Sequence, residues 1–160
     1  MKKPFRIFIT LILLVSIISV HSDAYSQPYM ISPTLQTYVD RADVLLNQIY
    51  YLGQTALANS INQLDNNETL RLIGLNLAQV TTLERDVIGY IGSLSPNTME
   101  ARNATILHIA LHHFNMALGE LGFFIRASTD IDRFNALQRY FYDIITAIEN
   151  INQVKQQVLT

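Results

Sequence analysis

The sequence predicts an all-α protein, an antiparallel up-down-up-down four-helix bundle. Long stretches of the 160-residue chain carry an apolar residue at every third or fourth position, as helices with one buried face do. Three short polar segments separate these stretches, and connections this short place successive helices side by side in opposite directions. No run alternates apolar and polar residues between turn residues, so the sequence contains no β-strand signal.

The first helix is predicted for residues 33–64. Ser32 precedes Pro33, and Ser is a favoured N-cap while Pro is favoured at the first helical position. The apolar residues that follow keep helical spacing: Leu35, Tyr38, Val39, Ala42, Leu45, Leu46, Ile49, Leu52, Ala56, Leu57, Ile61 and Leu64. Gly53 lies inside this helix and is expected to weaken it by about 1 kcal/mol relative to alanine.

The second helix is predicted for residues 66–94 and the third for residues 96–127. Asp65, with Glu68 three residues later, resembles a capping box at the start of the second helix. Ser95-Pro96 repeats the Ser-Pro pattern and is predicted to open the third helix.

The fourth helix is predicted for residues 129–158, with Thr129 as its cap and Asp132 three residues later. Its apolar residues follow the most regular heptad in the chain: Phe134, Leu137, Phe141, Ile144, Ile148, Ile151 and Val158. Phe141 and Ile144 are therefore expected in the core. Each predicted helix has about 30 residues and a length of about 45 Å.

Residues 1–26 are predicted to be a cleavable signal peptide. The segment opens on three basic residues, Lys2, Lys3 and Arg6. The apolar run that follows, residues 7–20, is shorter than the roughly 20 residues that span a bilayer. Small residues before Gln27 favour cleavage there, and cleavage after Ser22 is the alternative. The chain is thus expected to be exported, to an extracellular, periplasmic or cell-surface location, or tethered by its leader if cleavage fails.

The predicted mature chain consists of a flexible lead-in at residues 27–32 and one bundle domain at residues 33–160, with no transmembrane span. It keeps 8 of the 11 basic and 12 of the 13 acidic side chains, a net charge of −4. This mildly acidic balance, without a basic run, argues against nucleic acid as a partner. The chain has no cysteine, which excludes disulfides, thiol catalysis and thiolate metal sites.

The sequence contains no pattern that predicts an enzyme. It lacks a Gly-rich phosphate loop, a defensible Ser-His-Asp order and a close pair of inward carboxylates. We therefore expect a non-enzymatic protein. The alternatives that remain are a binding module and a metal-binding bundle, and both involve the third helix.

A metal site is the alternative hypothesis for the third helix. His108 and His112 are four residues apart, so two imidazoles could share a copper or zinc ion, and Met116 continues the row. A helical wheel places Leu107 and Phe114 on the core side and the two histidines away from it. A solvated polar face is the competing interpretation, because two exposed ligands do not complete a site.

The outer face of the third helix is the predicted interface, for a homo-oligomer or a protein partner. Five residues define it: Ile109, Met116, Gly119, Gly122 and Phe123. Small residues beside an exposed aromatic ring make a surface that another helix can approach closely.

Two further polar features lead to expectations. Glu84 is the one carboxylate on a predicted core stripe, and an ion pair with Arg102 is expected to fix the register of the second and third helices. A ligand or proton site at Glu84 is the alternative. Asn67 and Asn103 each begin an Asn-X-Thr triplet, the N-glycosylation pattern, and neither is expected to be used.

Overall fold

The computed structural model describes residues 32–159, with side chains to residue 156, and contains four α-helices and no strand within that range. The helices are α1 (Pro33–Asn62), α2 (Asn67–Ser93), α3 (Met99–Arg126) and α4 (Asp130–Leu159). The predicted all-α four-helix bundle is confirmed. The predicted signal peptide and, apart from Ser32, the predicted lead-in lie outside the described residues. Within the described range, none of the helices combines the length and apolarity needed to cross a membrane.

Two of the predicted helix starts are confirmed by their caps. The Ser32 hydroxyl accepts a hydrogen bond from the Leu35 amide at 3.2 Å, at the start of α1. Thr129 accepts a hydrogen bond from the Asp132 amide at 3.1 Å and donates to the Asp132 carboxylate at 2.6 Å. These pairings satisfy amides that have no partner in the first turn of a helix.

At the other two helix starts the predicted caps are wrong. Helix α3 begins three residues later than Pro96, because Asn97 adopts a left-handed turn conformation (φ 67°) that extends the connection. Thr98 then caps α3 and accepts from the Ala101 amide at 3.1 Å. The capping box at Asp65 is also absent, since Glu68 pairs with Arg71 one turn later at 2.6 Å.

Helices α1 and α3 each pack against the other three helices, and α3 is the central element because its contacts are the more extensive. Its most extensive packing is with α4, whereas the Cα atoms of α2 and α4 do not approach each other within 8 Å. Both helices carry fully buried alanines, Ala110 and Ala117 on α3 and Ala136 and Ala147 on α4, and side chains this small allow helices to pack closely.

The core of α4 keeps Leu137, Ile144 and Ile151 from the predicted heptad but differs at its other positions. Ile144 is buried as expected, but Phe141 is only partly buried and Phe134 is 45% exposed. Tyr140 is buried instead, together with Ala136 one turn before it. The prediction that Phe141 is a core residue is therefore wrong.

Tyr140 joins α4 to α1 at the position of Gly53. The Tyr140 hydroxyl donates a hydrogen bond to the Ile49 carbonyl at 3.1 Å, and burial raises the pKa of this phenol. A Cβ atom on Gly53 would overlap the Tyr140 ring and hydroxyl. Gly53 is thus required for packing, which accounts for a glycine inside a helix. A second contact between α4 and α1 lies towards the end of α4, where Lys155 forms an ion pair with Asp43 and its Nζ is 2.6 Å from the carboxylate.

One hydrogen-bond network joins three helix ends. The Tyr90 hydroxyl lies 2.7 Å from the Ser32 hydroxyl and donates to the Glu100 carboxylate. Hydrogen bonding by the Ser32 and Tyr90 hydroxyls lowers the pKa of the Glu100 carboxyl. The stabilisation from ionised Glu100 is therefore fully present above the ordinary carboxyl pKa of about 4.3, and it is lost as the pH falls through the lowered value.

Substitution of Gly53 by alanine tests the contact with Tyr140. Helix propensity alone would make the variant more stable, but the added methyl group overlaps Tyr140, so we expect the free energy of unfolding to fall by about 1–3 kcal/mol. The matched control is Gly74→Ala in α2, where a Cβ atom meets nothing within 4 Å. That variant should be as stable as the natural protein or more stable. Urea unfolding followed by circular dichroism measures both, and an equal gain in stability would contradict the packing role of Gly53.

Candidate functional site

The face of α3 that no other described helix covers carries a continuous line of exposed residues, which we call the outer strip. Its members are separated alternately by three and four positions: Arg102, Thr105, Ile109, His112, Met116, Gly119, Phe123 and Arg126. This is the spacing of the seam of a coiled coil. The apolar side chains lie in the middle of the strip, and the two arginines lie at its ends.

The apolar part of the outer strip consists of three large side chains, each seven residues from the next. Ile109 is 43% exposed, Met116 46% and Phe123 46%. Residues seven apart on a helix lie nearly in line, so these side chains form one ridge about 21 Å long. Solvent-facing lines of a bundle helix usually carry charged and polar residues instead. The predicted interface residues Ile109, Met116, Gly119 and Phe123 therefore lie together on one exposed line.

Gly122 does not belong to this surface. It is buried, and a Cβ atom there would lie 3.2 Å from the guanidinium of Arg126. The expectation that Gly122 is exposed on the outer face is therefore wrong, because the side chain of Arg126, one turn later on the same helix, lies over it. Gly119 is different: it is exposed, and a Cβ atom there would meet nothing within 4 Å.

The edge of the strip that faces α2 is fixed by Glu84. One carboxylate oxygen of Glu84 lies 3.2 Å from Nε2 of His108, and the other accepts a hydrogen bond from the Asn115 amide at 2.9 Å. The expected ion pair between Glu84 and Arg102 is therefore wrong, and Arg102 is exposed. Both oxygens of Glu84 are already engaged by side chains nearer its level on α3. His108 points towards α2 rather than directly outwards.

The edge of the strip that faces α4 is fixed by two ion pairs. His113 Nδ1 lies 2.9 Å from the carboxylate of Asp143, a residue that is only 2% exposed. Arg139 Nε lies 2.8 Å from the Glu120 carboxylate, and this hydrogen bond raises the pKa of Arg139. The guanidinium of Arg139 also lies over the ring of Phe123, 6.0 Å from its centre.

Asp143 was not among the residues singled out from the sequence. The signal was present in the spacing, since Asp143 directly precedes the core residue Ile144 and lies three residues after Tyr140. An acidic residue within such a stripe is buried only when a partner is provided, and His113 is that partner.

Two of the three residues proposed for a metal site contact different neighbours. His108 is paired with Glu84, whereas the ring of His112 lies beside that of His113, with centres 6.3 Å apart. Within the described residues, no three His, Cys, Asp or Glu side chains are arranged to hold a metal ion. The hypothesis of copper or zinc binding at His108, His112 and Met116 therefore gains no support from this arrangement.

The two glycosylation triplets differ in accessibility. Asn103 is 3% exposed, so the folded bundle shields its amide from a modifying enzyme. Asn67 is exposed at the start of α2, and its amide donates to the Asp65 carboxylate at 3.0 Å.

The His113–Asp143 pair can be tested by removing the histidine. His113→Ala leaves a buried carboxylate without its hydrogen-bond partner, so we expect the free energy of unfolding to fall by about 1–3 kcal/mol. His112→Ala is the matched control, because His112 is the exposed neighbour, and its effect should stay within about 0.5 kcal/mol. Urea unfolding near neutral pH gives both values. Equal effects would show that the contact with Asp143 is not stabilising.

Comparison of the chain with family models, with curated proteins and with solved structures found no match. The geometry of α3 is therefore the basis for inferring a function. That geometry consists of an apolar ridge in solvent, bordered on both sides by polar side chains whose partners hold them in place.

Proposed function

We propose that the protein is an exported, non-enzymatic binding module that acts through the outer strip of α3, in its simplest form by self-association. The observation that carries this proposal is the ridge of Ile109, Met116 and Phe123, which is exposed, in line and set at the spacing of a helix-packing seam. A ridge of this kind gains free energy when a second surface removes it from water.

The borders of the strip support a binding role. His108 and Asn115 are held by Glu84 on one side, while His113 is held by Asp143 on the other. These polar groups have their partners inside the bundle, so an approaching surface need not provide new ones at the edges. Side chains that are fixed before contact also lose less conformational entropy on binding.

Gly119 supports the proposal only together with its neighbours. A glycine costs a helix about 1 kcal/mol relative to alanine, and nothing in the bundle needs the space above this one. Gly74 in α2 is equally open, so an exposed glycine alone is no evidence of an interface. Gly119 differs because it lies in line with Met116 and Phe123, where the missing side chain lets another helix come closer.

Self-association through the strip is tested by placing a charge at Gly119. Gly119→Glu should disrupt the self-associated form while leaving helix content unchanged, because the new side chain points into open space. Gly74→Glu on α2 is the matched control and should leave self-association intact. Sedimentation velocity measures the size of each variant, and circular dichroism measures its helix content.

Two outcomes of this experiment would contradict self-association through α3. One is a natural protein that stays monomeric at high micromolar concentration. The other is an equal loss of association in the Gly74 and Gly119 variants, because a general effect of added charge would then explain the result.

The export part of the proposal has its own test. It rests on residues 1–26, where a basic start precedes an apolar run and small residues. Mass spectrometry of the protein recovered outside the cytoplasm should give a chain that begins at Gln27, or at Asp23 for the alternative cleavage site. An intact chain found only in the membrane fraction would indicate a retained anchor.

A further inference from the structure

We propose that a polar cavity at one end of the bundle binds a small hydroxylated anion, a molecule of the size of one sugar that carries a carboxylate or a phosphate group. The cavity lies where the connection between α1 and α2 meets the connection between α3 and α4, and we call it the end cavity. Its volume is about 460 Å³, within the range of roughly 300–1,000 Å³ that is typical of small-molecule sites. It does not include the ridge of the outer strip, so this inference is independent of the proposed function.

Two arginines line the end cavity, Arg126 at the end of α3 and Arg133 in the first turn of α4. Arg133 lies 3.8 Å from the carboxylate of Asp130, which is fully exposed, and within the described residues Arg126 forms no ion pair. Three other arginines each have a carboxylate oxygen within 3 Å: Arg41, Arg71 and Arg139. The positive charge at the end cavity is therefore left largely uncompensated by the fold.

The lack of a carboxylate partner is not by itself evidence of a site, because the exposed Arg102 also has none in the described chain. What distinguishes Arg126 and Arg133 is that they share one cavity. Two guanidinium groups that face the same space favour an anion there, and each presents a planar fork that matches a carboxylate or phosphate.

The one carboxylate in the lining is turned towards its own connection. Asp65 accepts hydrogen bonds from the backbone amide of Asn67 at 3.1 Å and from the side-chain amide of Asn67 at 3.0 Å, one on each oxygen. Two arginines and one aspartate give the lining a net charge of 2 − 1 = +1. An anion is thus the complementary ligand, and a cation would be repelled.

The remaining polar groups of the lining favour a ligand with hydroxyl groups. They are four carboxamides and one hydroxyl, from Asn59, Gln63, Asn66, Asn67 and Ser60. A carboxamide both donates and accepts hydrogen bonds, as a hydroxyl does, so these side chains match a polyol. The amino groups of Asn59 and Asn67 are used within the connection, and their carbonyl oxygens remain free to accept from the ligand. An inorganic anion would leave these groups unused.

The two sides of the end cavity are held in place before any ligand arrives. The Asn59 amino group donates to the Asn66 side chain at 3.2 Å, which ties the end of α1 to the start of α2. Arg133 Nε donates to the Ala127 carbonyl at 3.0 Å, which ties α4 to the end of α3 and leaves the outer two nitrogens of this guanidinium for an oxyanion. A site that is formed in advance loses less entropy when it binds.

Gln63 adds a backbone observation. It ends α1 in the left-handed conformation, with φ 55°, where glycine is the residue that adopts this shape without strain. The chain therefore has a long carboxamide at a position where glycine would be less strained. Because this side chain lines the end cavity, we assign it a contact with the ligand's hydroxyl groups.

Chemical-shift titration of the ¹⁵N-labelled protein tests the site, at low salt and near neutral pH. The probes are D-glucuronate, D-glucose 6-phosphate, D-glucose and inorganic phosphate. We expect at least one of the two charged sugars to bind at least about tenfold more tightly than glucose or phosphate, with the largest shifts at residues 59–70 and 125–133. The tighter of the two identifies the anionic group as a carboxylate or a phosphate.

Three variants and one control assign the binding to named side chains. Arg126→Gln and Arg133→Gln should each weaken binding of the preferred sugar at least about tenfold, since each removes a charged hydrogen-bond donor. Arg102→Gln removes an exposed arginine away from the end cavity and should leave affinity unchanged. Gln63→Gly should weaken binding at least about threefold while keeping or raising the urea midpoint, a combination that a purely structural role would not give.

Two results would overturn the inference. One is a titration in which neither charged sugar binds more tightly than glucose and inorganic phosphate. The other is an equal loss of affinity in the Arg102 and Arg126 variants, which would show a general effect of charge. Arg126 is exposed, so its variant remains informative if Arg133→Gln fails to fold, which the dispersion of its amide signals would show. Neither result bears on self-association through α3.

Discussion

The burial of α3 is the constraint on which the rest of the structure depends. This helix packs against all three of its neighbours, so most of its circumference must be apolar, and only one narrow face remains for solvent. The alanines on the α3–α4 contact bring the two helices close, and the polar pairs at Glu84 and Asp143 close the edges of the buried region. The outer strip is what remains uncovered, and its position follows from how the other helices are arranged.

Local signals in the sequence predicted the number of helices and two of their starts. Caps such as Ser32 and Thr129 are readable locally because each accepts a hydrogen bond from an amide only three residues later. The register between two helices is harder to predict. An error of one residue in the position of a turn shifts the residues that face each other across the hairpin by two. The connection between Ser93 and Met99 is centred one residue later than predicted, which moves the level of Glu84 by two residues, from Ile106 to His108. The α3 partner of Glu84 therefore depends on the geometry of this connection, which the left-handed conformation of Asn97 sets.

The candidate site was also predictable only in part. Spacing alone placed Ile109, Met116 and Phe123 on one line, because a helix fixes the relative directions of its own side chains. The width of the buried face depends instead on how many neighbours the helix has. That number is a property of the whole bundle, and the burial of Asp143 beside His113 could not be predicted from the pattern of α4 alone.

The unequal packing of the helices has a consequence for how the protein fluctuates. Helices α3 and α4 make the most extensive contact, whereas α1 meets α4 at few positions, among them Tyr140 against Gly53. We therefore expect partial opening to begin at the α1–α4 boundary, and amide protons there to exchange with solvent sooner than those of the α3–α4 hairpin. The outer strip belongs to the last cooperative unit to open, so its shape persists through motions that loosen the opposite side of the bundle.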